Sequence, residues 1–209
     1  MHPLNYYQFF SLLTMALVAS RLKVRLPGLN SNMSVNVPFI LIAVAQLSLF
    51  EALLIALPSS VAQCFPKNGG KLKPVQMLFN VSTMAVAVGA GELIFQVQFL
   101  VLTAAGFFVA QTIPVAAIIA LTEGGSIPRI WSNIVHLSFP YYVLSAGITS
   151  IVTAASHLFG WQIPLLILPV MYAVYRSYQL YFGQPISNSV EARFGEGAFA
   201  AHAVPIATR

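Results

Sequence analysis

Long apolar runs broken by short basic and polar clusters give the first picture of this chain. A helix needs ~20 apolar residues to cross a ~30 Å hydrocarbon core. Residues 4–20 form a first run, stopped by Arg21, Lys23 and Arg25. Pro27-Gly28, with Asn30 and Asn32, makes a turn after it. The next run covers 35–65, which as one helix would be ~46 Å long at ~1.5 Å per residue, too long for one untilted crossing. Ser48 and Glu51 interrupt it near its centre. It reads as two short helices, about 35–48 and 50–65, joined at Ser48-Leu49-Phe50-Glu51. Each half is short for a full crossing, which leaves a re-entrant hairpin open as well.

A loop with Lys67, Lys71 and Lys73 follows, and then runs at 74–91, 97–121, 133–156 and 161–182. Thr122-Glu123-Gly124-Gly125-Ser126 reads as a loop. Residues 183–209 are rich in Gly, Ala, Ser and Pro and show no helical or strand period, the pattern of a disordered tail. The expected fold is all-α: a polytopic transmembrane helical bundle of about 6–7 helices over 1–182, followed by a cytoplasmic tail over 183–209. No basic residue precedes the first apolar run and three follow it. That order suits a retained membrane helix better than a cleaved signal peptide.

Composition strengthens this picture. The chain is 58% hydrophobic and only 7% charged, where a soluble domain carries roughly 25% charged residues. The net charge of +5 does not point to nucleic acid, because the basic residues sit in short clusters between apolar runs. With seven helices and the N-terminus outside, all ten basic residues fall on one side, as the positive-inside rule requires. A single span over 35–65 would put the lysine loop on the other side, so charge favours two helices there. Tyr6, Tyr7, Trp131, Trp161, Tyr178 and Tyr181 fit an interfacial aromatic belt.

Candidate chemistry is sparse. All five acids are glutamates, and there is no aspartate. That excludes aspartyl intramembrane proteolysis, aspartyl-phosphate formation and Walker-B magnesium binding. The single Cys64 permits neither an internal disulfide nor a cysteine metal cluster. His136 and His157 are ~31 Å apart along a helix, so they cannot share a metal, and no Gly-rich phosphate loop or nucleophile elbow is present. No enzyme, cofactor or metal is expected. A carboxylate inside an apolar run usually faces a cavity or a partner. Glu51 therefore either contacts a ligand at the outer mouth or caps the first turn of the third helix. Glu92, after Gly89 and Gly91, either lines the same cavity or sits in interfacial solvent. Glu123 reads as solvated loop. Gln46, Gln63, Asn80, Ser82, Thr83, Gln111 and Thr112 either line a polar pocket or bond between helices. The candidate ligand-binding set is Glu51, Glu92, Gln46 and Asn80. Tyr172, Tyr175, Tyr178 and Tyr181 form a stripe on the last helix that either anchors an interface or meets another protein.

Several stretches carry a resemblance: 19–28 (ASRLKVRLPG), 75–80 (VQMLFN), Leu121-Thr122-Glu123-Gly124, Trp131 through Ser138-Phe139-Pro140-Tyr141-Tyr142, and Tyr175-Arg176-Ser177-Tyr178. Together, over about 19–182, they resemble the multi-helix N-terminal membrane module found ahead of HD-GYP or GGDEF domains in some bacterial signalling proteins. In that family the last helix leads into a cytoplasmic cyclic-dinucleotide domain. Here only 27 residues follow Phe182, with neither HD nor GGDEF residues. The resemblance implies a sensory-type module in the bacterial inner membrane that binds a small or lipid-like ligand and works through a signalling partner. A weaker likeness, over Pro38 to Glu51, is to the substrate-binding membrane component of energy-coupling-factor transporters. It implies a transporter or ligand-capturing subunit.

Overall fold

The computed structural model describes residues 6–25, 32–65, 74–96, 100–160 and 162–182. Seven α-helices stand among them: α1 (Tyr6–Ser20), α2 (Val37–Gln46), α3 (Leu49–Cys64), α4 (Pro74–Phe95), α5 (Leu100–Glu123), α6 (Ile127–Phe159) and α7 (Ile167–Phe182). A two-stranded antiparallel ribbon, β1 (Lys23–Arg25) and β2 (Asn32–Ser34), separates α1 from α2.

Side-chain spacing decides which face each helix buries. On α1, Leu12, Met15, Ala16 and Ala19 recur at helical spacing and face the core, while Tyr6, Tyr7, Phe10 and Val18 stay exposed. On α3 the buried stripe is Ala52, Ile55, Ala56 and Ser59. α2 differs from both, because every residue from Val37 to Val44 is buried. A helix that is apolar all round has no solvent face and belongs at the centre; it packs on α1, α3, α4 and α6. Its ten residues make it only ~15 Å long.

Cross-helix contacts fix the direction of each element. Gln8 meets Gln46, so α1 and α2 are antiparallel. Asn36 meets Ser59, so α2 and α3 form an antiparallel hairpin about Leu47 and Ser48. Asn80 meets Cys64 at the start of α4, and Gly91 approaches Val44, Thr103 and Phe107 near its end. Trp131 bonds Thr112, and Phe108 packs edge-on against Tyr142 with ring centroids 4.7 Å apart, setting α6 against α5. Tyr178 packs edge-on against Tyr141, setting α7 against α6.

The helices therefore alternate up and down. Arg21, Lys23, Arg129 and Arg176 lie toward one end, called here the basic end, together with Phe65 and the ribbon. Gln46, Glu51 and Glu92 lie toward the other.

α4, α5 and α6 are each long and apolar enough to cross a membrane, and α1, α2 and α3 are shorter apolar helices. The long three carry outward-facing apolar side chains along their length, among them Leu78, Val86, Leu93, Val101, Val109, Val143 and Ile151.

Several boundaries differ from the sequence expectation. α6 begins at Ile127 rather than 133, with Pro128 in its first turn, where the missing N–H is harmless. α5 continues to Glu123 and α4 to Phe95, so the Gly loop after α5 shrinks to 124–126. Gly124 ends α5 with φ at +70°, the left-handed conformation that favours glycine after a helix. The run 161–182 is not one helix. It opens with a 3₁₀ turn, Ile163–Leu166, before α7; Pro164 and Pro169 each lack a donor there. The ribbon was not anticipated at all. The expected tail, 183–209, and the loop with Lys67, Lys71 and Lys73 lie outside the described residues.

Candidate functional site

Gln46 is the last residue of the central helix α2, and its amide serves two neighbours. The Gln8 amide nitrogen donates to its oxygen at 2.7 Å, and its own nitrogen donates to Ser156 Oγ at 3.3 Å. One side chain thus ties α1, α2 and α6 together. Such bonds are worth most where water is excluded.

Glu51 has a local assignment. Ser48 caps α3, its Oγ accepting from the Glu51 N–H at 3.4 Å. The Glu51 carboxylate accepts in return from the Ser48 N–H at 2.8 Å and from the Ser48 hydroxyl at 2.7 Å. This is a complete capping box, and it puts a negative charge at the positive end of the helix dipole. Of the two readings open from sequence, the cap is the one the geometry contains.

Glu92 is different. It sits near the end of α4, one residue after Gly91, where a Cβ would stand 3.7 Å from Phe107 and Thr103 and 3.8 Å from Val44. These are ordinary packing distances, so α4 lies against α2 and α5 at this level with room for a methyl group. One carboxylate oxygen of Glu92, Oε2, is enclosed and has no hydrogen-bond partner. The residue as a whole is only partly buried, so it is one oxygen rather than the whole carboxylate that is enclosed.

Asn80 does not join these three. It lies toward the basic end of α4, where its amide donates to Cys64 Sγ at 3.4 Å. The structure therefore brings Gln46, Glu51 and Glu92 toward one end and leaves Asn80 at the other.

Most remaining polar side chains bond between helices or back onto their own. Trp131 Nε1 donates to Thr112 Oγ1 at 3.1 Å, and Tyr142 donates to Gln111. Thr112 and Ser145 donate to the carbonyls of Phe108 and Tyr141. The tyrosine stripe of α7 splits: Tyr175 and Tyr178 turn toward the core, whereas Tyr172 is exposed. Two contributors were missed from sequence, Gln8 and Ser156. Neither interrupts a run strongly enough to stand out, and only the antiparallel packing of α1 and the parallel packing of α6 carry them to Gln46. Among the described residues, no group of three His, Cys, Asp or Glu side chains converges as a metal site would require.

No protein-family model matches the chain, and no curated protein or solved structure shows detectable similarity to it.

Proposed function

We propose that this chain is an integral membrane module of seven helices that binds a small ligand near Glu92 and reports its occupancy to a partner protein. Three observations support membrane insertion: the three long apolar helices, their exposed apolar side chains, and, among the described residues, the gathering of Arg21, Lys23, Arg129 and Arg176 toward one end. With that end cytoplasmic, as the positive-inside rule directs, the start of α1 and Glu92 are on the outer side of a bacterial inner membrane.

The unpaired Oε2 of Glu92 carries the ligand reading. An enclosed acceptor without a donor is suited to a ligand that brings its own, an amine or a hydroxyl group. Gln46 and Glu51 are less suited to this role, because each already has protein partners. Signal transmission rests on the resemblance to sensory membrane modules. The test is mass spectrometry of small molecules retained by the purified protein and by Glu92→Gln. Loss of a specific amine or hydroxyl compound from the variant supports the reading; identical retention sinks it.

A second reading, a transporter or its ligand-capturing subunit, is favoured by α2. A short helix buried on all sides resembles the discontinuous helices that build substrate sites in transporters. Ligand uptake into vesicles that contain this chain would support it, and retention without uptake would favour the sensor.

A further inference from the structure

A groove of about 580 Å³ runs along the outer face of α3 and ends at Arg21. Its floor is apolar, with Leu53, Leu57, Pro58, Val61 and Phe65 along one side of the helix. Pro58 lies inside α3 and leaves the Leu54 carbonyl without its usual intrahelical donor. From Leu53 to Phe65 the groove covers ~18 Å of helix, slightly more than half of a ~30 Å hydrocarbon core. It has the length of one bilayer leaflet.

The groove closes at the basic end. The Arg21 guanidinium lies over the Phe65 ring, 5.6 Å from its centroid, a cation–π placement. Lys23 Nζ donates to the Phe65 carbonyl at 3.1 Å. Arg21 is exposed, and among the described residues no carboxylate lies within ion-pair distance of its guanidinium. Glu51 and Glu92 belong to the opposite end, and Glu123 closes α5 toward the basic end. A planar, always-charged fork held at the top of a leaflet-length apolar groove is the arrangement that binds a phosphodiester carrying an acyl chain.

We infer that this groove is a binding site for an anionic phospholipid, with an acyl chain along Leu53 to Phe65 and the headgroup phosphate at Arg21. The inference rests on the membrane reading above and is independent of the Glu92 ligand. Charge complementarity selects the occupant: the cations Arg21 and Lys23 stand together at the end of the groove, and a headgroup of net negative charge neutralises them where a zwitterionic one brings its own ammonium and an apolar helix brings no anion.

The test begins with carbonate extraction of membranes that contain the full chain. Release into the wash overturns both the membrane reading and this inference; retention keeps the first and lets the second be tested alone. The protein is then purified and offered phosphatidylglycerol or phosphatidylcholine, and retained lipid is counted by native mass spectrometry. The expected result is a preference for phosphatidylglycerol that is lost in Arg21→Gln, partly kept in Arg21→Lys, and lost in Leu57→Trp, which fills the groove without altering charge. Equal retention of the two lipids by the wild type would overturn the site. So would a preference unchanged in Arg21→Gln and Leu57→Trp, a dimer that Leu57→Trp dissociates, or displacement of phosphatidylglycerol by glycerol phosphate, which would show an anion site with no use for the groove.

Discussion

The amide of Asn36 donates to Ser59 Oγ at 3.3 Å, joining the start of α2 to α3 across the hairpin. Asn36 is only 1% exposed, and Ser34 donates to its carbonyl oxygen at 2.5 Å. Ser59 also donates to the Ala56 carbonyl at 2.8 Å. This chain of three side chains satisfies polar groups deep in an apolar bundle, where unmet groups are most costly. Replacing Asn36 by Leu would leave the Ser34 hydroxyl without its acceptor and remove the donor to Ser59 Oγ, which keeps its bond to Ala56, so Asn36→Leu is expected to destabilise the protein by about 1–3 kcal/mol. Thermal unfolding in detergent measures this, and a double-mutant cycle with Ser59→Ala should show coupling between the two sites. Additive effects would mean the bond contributes nothing.

The capping box makes a second prediction. Ser48→Ala removes the acceptor for the Glu51 N–H and should cost about 0.5–2 kcal/mol. Glu51→Gln should cost less, because Gln also serves at that position of the motif. If Glu51→Gln abolishes ligand retention while the melting temperature holds, Glu51 has a binding role that its cap does not explain.

Gly91 is buried, yet its immediate space is not tight. An added Cβ would meet its nearest neighbours at 3.7–3.8 Å, ordinary packing distance. Gly91→Ala should therefore be neutral or stabilising, by up to ~1 kcal/mol of helix propensity. Gly106 is the contrast, since a Cβ there would come within 2.1 Å of Ile94 Cδ1. Gly106→Ala forces Ile94 into another rotamer and should lower the melting temperature relative to Gly91→Ala. The same melting point for both variants would refute this packing of α4 on α5.

Orientation can be read chemically. In a Cys64→Ser background, single cysteines at Gly125 and Gly160 occupy opposite ends of α6. A membrane-impermeant maleimide applied to intact cells should label position 160 and leave 125 unmodified until the cells are opened. The reverse labelling would invert the proposed orientation. Labelling of both positions in intact cells would remove the membrane crossing of α6.

How much of this was legible beforehand differs from element to element. The interruption at Ser48 and Glu51 marked the α2–α3 junction, because a polar pair inside an apolar run has to be an end or a functional site. The interhelical bonding of Gln111, Thr112 and Asn80 was one of two readings and is the one the packing contains. The start of α6 at Ile127 was obscured by Pro128 and Arg129, which suggest a loop although the first turn of a helix tolerates both. The three-residue strands were too short to leave a period.

The sequence by itself determined that the chain is helical, in about 6–7 apolar elements. The physical reason is that the length and apolarity of a run are one-dimensional quantities. Tertiary structure alone decided that α2 is the buried centre and that Gln8 and Ser156 converge on Gln46. It also left one oxygen of Glu92 unpaired while Glu51 found a cap. The physical reason is that an apolar helix carries no mark of which neighbours will surround it. Whether a polar side chain is satisfied depends on partners far away in sequence, brought near only when the bundle closes.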